Sequence, residues 1–365
     1  MTSVSIVTNW IEELAPMALQ EDYDNAGLLV GNKDMFVTGV LLTIDVTEEV
    51  VDEAIRKGCN LIISHHPLIF RGIKQITGAD DIQNCIIKAI KNDIAVYAAH
   101  TNIDNALIGV NGKIAEKIGL KNLQILQPKS NVLLKLVTFI PKQYVSEVRT
   151  ALFEAGAGNI GNYDNCSFGM EGIGTFRANE NANPYVGEKL EQHYEEETRI
   201  EVILPEYLKP KIISALIKAH PYEEPAYDLI PLENDWKDSG AGAIGNLETE
   251  TDEIEFLNHL KSVFHLETLK YTALLGKKIK KVAVCGGSGS QFLKDAIHAG
   301  ADIYISADFK YHEFFDAKNK ILIADIGHYE SEQFTKEVFY EVITKKIPTF
   351  AVQISDINTN PIKYL

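Results

Sequence analysis

The chain is poor in the features that would tie it to a membrane, a polyanion or a disulfide scaffold. Its 35 Lys and Arg are outnumbered by 51 Asp and Glu, giving a formal net charge of -16. A basic face for phosphate backbones or anionic lipid is therefore not expected, and neither is nucleic acid as a partner for so acidic a chain. No apolar run approaches the ~20 residues that a membrane-crossing helix needs, so no membrane association is expected. The first residues, MTSVSIVTNWIEELAP, carry neither a basic segment nor an apolar one, so no secretory signal is expected. Cys59, Cys85, Cys166 and Cys285 lie far apart and form no CxxC pair. They are expected to be reduced thiols of a cytoplasmic protein. There is no low-complexity tract, no short-period repeat and no P-loop lysine motif.

What is present is an ordinary globular composition, 45% hydrophobic and 24% charged over 365 residues. At roughly 150 residues per domain, that length suits two domains. Residues 1–125 alternate short apolar runs with amphipathic helical segments. TGVLLTID reads as a strand, TEEVVDEAIRKG as a helix opened by Thr47 and closed by Gly58, and CNLIIS as the next strand. DIQNCIIKAIKND and IAVYAA continue the pattern. Such alternation predicts βαβ units, and the nearly continuous apolar strands predict a sheet covered on both faces. The same pattern returns near the C-terminus in KKVAVCG, SQFLKDAIHAG, ADIYIS, ILIADIG, SEQFTKEVFYEVITKK and TFAVQIS.

The middle differs. From about Asn131 to Leu232 the order is strand, helix, hairpin material, strand, helix and strand, close to a ferredoxin-like βαββαβ unit. Pro128 and DWKDSGAGAIGN mark the junctions. The expected architecture is an α/β domain of two similar halves, 1–128 and 240–365, interrupted by an inserted α+β domain, 129–239.

In NLIISHHPLIF two imidazoles, His65 and His66, arrive where a buried strand ends. Ligands gather where the strands of α/β sheets end, so the other strand ends are the place to look for partners. LLTIDVT supplies Asp45, IAVYAAHTNID supplies His100 and Asp104, and IYISADFKYHEFFDA supplies Asp308, Lys310, His312 and Glu313. ILIADIGHYESEQF supplies His328, Glu330 and Glu332; His328 and Glu332 share a face if a helix starts at His328. Five of the ten histidines sit just past predicted strands. Imidazole and carboxylate are the donors for zinc, iron and manganese. Side chains alternate in extended chain, so adjacent histidines suit two ions with a carboxylate between them, ~3.5–4 Å apart in such sites. Taken singly, each piece has a plain alternative. Asp104 could cap a turn, and Glu330 and Glu332 could only favour a helix N-terminus. CGGSGS could hold a phosphate at a helix start but reads better as a tight turn. DNAGLLVG could be a substrate loop or two glycine turns. HPYEEP, with His220, Tyr222, Glu223 and Glu224, could bind a ligand but reads better as a structured turn or subunit contact.

The segments DNAGLLVG, SHHPLIF, AHTNIDNA, SADFKYHE and GHYESE together make the chain resemble the NGG-interacting-factor-three-like proteins, also known as GTP cyclohydrolase 1 type 2 homologues. The resemblance covers nearly the whole chain. It implies five metal ligands, His65, His66, Asp104, His328 and Glu332, with Glu332 bridging two divalent ions. Zinc is the first choice, with iron or manganese as alternatives. The implied pairing is His66 with Asp104 on one ion and His65 with His328 on the other. It also implies that the middle domain is PII- or CutA-like and that the protein assembles as a toroidal homohexamer, a trimer of dimers. Water held between two such ions ionises near neutral pH, which favours hydrolysis. The expected function is a metal-dependent hydrolase of a nucleotide or phosphoester, GTP cyclohydrolase-like by resemblance. His100 and His312 are the expected proton carriers and Lys310 the expected substrate contact. The competing expectation is a non-enzymatic scaffold, metal-handling or regulatory protein.

Overall fold

In a computed structural model, residues 2–365 are described, and they form two compact units, 2–128 with 238–365, and Lys129–Lys237. The protein is a mixed α/β protein with three sheets. No helix among the described residues is long and apolar enough to cross a membrane. All four cysteines are free thiols, and three of them, Cys59, Cys85 and Cys285, are buried.

The discontinuous unit holds two sheets. In the first, Val352–Ile354, Val40–Thr43, Leu61–Ser64 and Ala95–Ala98 run parallel, and Gly27–Val30 closes one edge antiparallel. The three central strands are buried at every residue, as strands covered on both faces must be. Leu41, Ile62 and Val96 pack against Val50 and Ala54 of the helix Glu48–Lys57 and Ile86 of the helix Asp81–Lys91. The sequence punctuates these helices as expected. The Thr47 hydroxyl accepts from the Val50 N–H, Gly58 closes the helix at φ 67°, and the Asp80 carboxylate accepts from the Gln83 N–H.

The second sheet has the order Lys270–Tyr271, Leu322–Asp325, Ile303–Ala307, Lys278–Ser288, Trp236–Asp252, Lys121–Lys129. Its three middle members from Lys278 to Leu322 are parallel. Three stretches gain detail here. DWKDSGAGAIGN holds the boundary at Lys237 and Asp238 and is also most of the long strand Trp236–Asp252, where Gly240 passes at a point at which a Cβ would meet the Gln127 carbonyl. CGGSGS does not open a helix directly; the strand runs on to Ser288 before a short 3-10 turn. DNAGLLVG likewise contains the edge strand Gly27–Val30 rather than a loop alone.

The middle unit runs strand Leu133–Pro141, helix Val145–Glu154, strands Phe168–Arg177 and Gln192–Pro205, helix Lys209–Ala219 and strand Tyr227–Leu232. All its strand pairs are antiparallel, in the order second, third, first, fourth. Both helices pack on one face through Val148, Leu152, Ile212 and Leu216, against Leu136, Ile200 and Val202.

Candidate metal centre

Two strand ends and two short helices bring the six side chains together. His65 and His66 follow Leu61–Ser64, and the alternation of extended chain sends their rings to different neighbours. His100 follows Ala95–Ala98, and Asp104 ends the four-residue helix Thr101–Asp104. His328 begins and Glu332 ends the helix His328–Glu332, one turn apart on one face, with Nε2 to Oε2 at 3.2 Å.

Each imidazole is held by its Nδ1. His65 donates to the Ala99 carbonyl at 3.0 Å, His66 to Asp45 at 2.7 Å, His100 to Asp24 at 2.7 Å and His328 to Asp308 at 2.7 Å. A carbonyl or carboxylate on Nδ1 fixes the proton there and leaves the Nε2 lone pair facing the cluster, the arrangement found behind metal-ligating histidines. His65 Nε2 and Asp104 Oδ1 at the centre are buried with no hydrogen-bond partner, and the buried Glu332 Oε2 beside them faces only the ring nitrogens of His66, at 2.9 Å, and His328, at 3.2 Å. Buried polar atoms are normally satisfied, so an unpartnered imidazole nitrogen and carboxylate oxygen facing the Glu332 carboxylate mark a place shaped for a cation. The donor set fits one: the ligand-type atoms of His65, Asp104 and Glu332 lie within 4.8 Å of one another, as do those of His66, His328 and Glu332, and those of His65, His66 and His100.

The donor atoms group differently from the pairing that the resemblance implies. His65 Nε2 is 3.7 Å from Asp104 Oδ1, and His66 Nε2 is 3.4 Å from His328 Nε2. Glu332 serves both groups, with Oε1 3.5 Å from His65 and Oε2 2.9 Å from His66. The reason is the fully buried position of His65, which turns inward to the Thr101–Asp104 helix and leaves His66 facing His328.

The electrostatics follow the crowding. Burial and the charge of Glu332 push the Asp104 carboxyl well above its usual range. Glu332 is held well below its own despite burial, because the imidazoles of His65, His328 and His66 surround it. Burial pushes the His66 imidazole down, but bonds to Asp45 and Glu332 outweigh it and raise it to about 10. His328 rises to about 9 through its bond to Glu332, against burial and with help from Asp308. Burial lowers His65.

The backbone is shaped around the carboxylates. Gly287 sits at φ 61°, where a Cβ would run into Glu332 Oε1, and its N–H donates to Ser331. The glycine cluster therefore backs the site rather than cradling a phosphate. Asp308 adopts φ 57°, a conformation uncommon outside glycine, while its carboxylate holds His328.

Of the residues expected from sequence, His65, His66, His100, Asp104, His328 and Glu332 come together. His312 and Lys310 do not join them. Both are exposed on the segment after Ile303–Ala307, where His312 contacts the rings of Tyr311 and Phe315. The role of Asp24 in holding His100 was not anticipated. Its only signal was an acidic residue opening DNAGLLVG.

A mixed α/β scaffold whose strand ends gather a buried histidine–carboxylate cluster defines a class of protein able to take metal. The chain belongs to the Duf34/NIF3 (NGG1p interacting factor 3) family, whose model matches residues 2–361. It is similar to proteins named GTP cyclohydrolase 1 type 2 homolog from Halalkalibacterium halodurans, 39% identical with 98% of each chain covered, and from Bacillus subtilis, 38% identical with 97% of this chain and 96% of that one covered. Among solved structures it is similar to a Bacillus cereus protein related to NIF3, with a TM-score of 0.85, 39% identity and coverage of 100% of this chain and 99% of that one. A Staphylococcus aureus protein gives a TM-score of 0.79 at 32% identity, with the same coverage.

Proposed function

We propose that the cluster holds two divalent metal ions, zinc in the first place, and that the protein is a metal-dependent hydrolase of a nucleotide or phosphoester. One observation carries this reading: four imidazoles tied through Nδ1 present Nε2 to a centre where His65 Nε2 and Asp104 Oδ1 are buried without a partner beside the Glu332 carboxylate. His65, Asp104 and Glu332 would hold one ion and His66, His328 and Glu332 the other. Ions so placed supply Lewis-acid activation of water and a clamp for a developing oxyanion. Asp45 and Asp308 fix the rings that face Glu332. His100, steadied by Asp24 and edge-on to His65 and His66, is placed to take or give a proton at Nε2. Lys310 and His312 are assigned to substrate contact from the rim.

GTP enters the reading through the name of the relatives. The middle unit is taken as a PII- or CutA-like, ferredoxin-like insert, supported by its antiparallel strand order, and the assembly as a homohexamer.

The test is metal analysis of freshly purified protein together with a screen of GTP, other nucleotides and phosphoesters. The expected result is close to two ions per chain and turnover that disappears in His66→Ala while the assembly, followed by light scattering, stays intact. Metal bound without turnover on any substrate would replace the hydrolase with a metal-handling scaffold. Protein that takes up neither zinc, manganese nor iron would end the proposal.

A further inference from the structure

The middle unit contains a cavity of about 770 Å³ that the metal centre does not use. Its floor is the strand pair Phe168–Arg177 and Gln192–Pro205, and the segment from Ala178 to Val186 forms a wall. Glu197 projects from the floor and is only 8% exposed. Its Oε1 accepts from the Tyr222 hydroxyl at 2.8 Å, while Oε2 accepts no hydrogen bond from any described residue. Oε2 lies over Gly174, where a Cβ would collide with it. Oε2 therefore opens onto the cavity with no protein donor on it, and a ligand N–H entering there would find a free carboxylate oxygen on an otherwise buried side chain.

The surroundings say what would meet it. Phe176, Tyr185 and Tyr222 bring aromatic rings around the same space, with Tyr222 6.1 Å from Phe176 and 6.3 Å from Tyr185, centroid to centroid. Tyr185 is steadied through a hydroxyl contact with Tyr144. Tyr222 is steadied by the HPYEEP turn. Its N–H donates to Nδ1 of the buried His220, whose Nε2 bonds the Phe139 carbonyl at 2.9 Å. With both nitrogens engaged, His220 is a brace and not a ligand, so the motif shapes the cavity instead of binding a metal. Glu171, Glu223 and Glu224 add negative charge to the walls. Of the two arginines there, Arg199 is already paired with Glu201 at 2.8 Å, and Arg177 is exposed and makes no ion pair among the described residues.

We propose that this cavity binds a small organic cation, a primary ammonium or guanidinium compound, with its N–H donors on Glu197 Oε2 and its charge against the Tyr222, Phe176 and Tyr185 rings. Aromatic rings and a carboxylate oxygen free of protein donors are the two groups that attract such a cation. Arg177 favours ligands that carry a carboxylate beyond the cation. The inference stands on the middle unit alone and does not depend on the metal reading.

Agmatine and arginine are the probes, since they share a guanidinium and differ by the carboxylate. Calorimetric titration of the full-length protein should show saturable, one-site binding of both, tighter for arginine, and the preference for arginine should vanish in Arg177→Ala. Glu197→Gln, nearly isosteric, should weaken both about tenfold or more, ~1.4 kcal/mol, the scale of a lost charge-assisted hydrogen bond. Tyr222→Phe keeps the ring and should weaken binding less. His66→Ala should leave binding unchanged, separating this site from the metal centre. Unchanged thermal unfolding of Glu197→Gln shows that the unit is still folded; if that variant does not fold, Tyr222→Ala and Phe176→Ala carry the test. No saturable binding of either probe up to about 10 mM, well past the ~1 mM of weak complexes, overturns the proposal. Equal binding by the wild type and the Glu197 variant overturns it as well, showing diffuse attraction to an acidic chain.

Discussion

His66 faces two acids, Asp45 through Nδ1 and Glu332 through Nε2, and this sets the sign of its response to pH. Without metal, His66 and His328 are raised to about 10 and about 9. A group raised on folding contributes stability that is complete below its unfolded value, ~6.5 for His, and is lost as pH rises through the folded value. Metal binding has the opposite sign, because a ligating imidazole must be neutral at Nε2. Their Nε2 atoms are 3.4 Å apart, so one proton between them opposes a second. Binding of zinc at pH 7.5 should therefore release at least one proton, and affinity should rise with pH up to about 9–10. Calorimetry in buffers of different ionisation enthalpy measures this directly; proton-neutral binding would contradict it. The same ring supplies a finer test. Asp45 Oδ2 accepts from Thr359 Oγ1 at 2.6 Å, so the C-terminal segment steadies the acid that steadies His66. Thr359→Val should weaken metal binding about tenfold, within the 10–100-fold range for such outer partners, and Thr359→Ser should restore most of it. Of these residues the adjacent histidines were plain in the sequence. Asp24 and Thr359 were not, because they act on rings 76 and, through Asp45, 293 positions away only once the chain has folded.

The elements that a period could reveal were revealed. The buried strands ending at Thr43, Ser64 and Ala98 are unbroken apolar runs, and the helix between Thr47 and Gly58 carries both its start and its stop. The long strand Trp236–Asp252 was hidden because its start is polar and rich in glycine, the composition of a linker. Its order comes from strands on either side, a tertiary effect that no local preference records. The end of Lys278–Ser288 was hidden for a related reason: its glycines look like a turn but are there to let Glu332 approach. Gly287→Ala tests this at the level of the element. It should cost on the order of 1–2 kcal/mol for the left-handed backbone alone, and it should also displace Glu332 and abolish metal uptake. Gly300→Ala is the matched control, since Gly300 has φ 71° but open space where the Cβ would go. It should lower the unfolding midpoint while leaving metal stoichiometry untouched. Equal metal loss in both variants would assign the effect to general destabilisation.

Across the whole molecule, the middle unit interrupts the other at one place. The chain leaves the discontinuous unit after Lys121–Lys129 and returns along Trp236–Asp252, and these two strands are neighbours in the six-stranded sheet. Gly240 lies so close to Gln127 and Pro128 that a Cβ could not fit between them. Insertions at such adjoining ends leave the host able to close on itself, and the host here has its own cores around Leu41 and Ile62 and around Ala283 and Tyr304. All six residues of the candidate centre also come from the host. Replacing residues 129–237 by a short Gly-Ser turn should therefore give a protein that unfolds cooperatively and binds the same number of ions as the full chain. Extending or shortening that turn by a few residues should change stability by only about 0.6 kcal/mol per doubling of loop length. If the shortened protein folds, by circular dichroism and a single thermal transition, yet takes up no metal, the histidine–carboxylate cluster needs the middle unit, and the division of labour argued from the two cores is wrong.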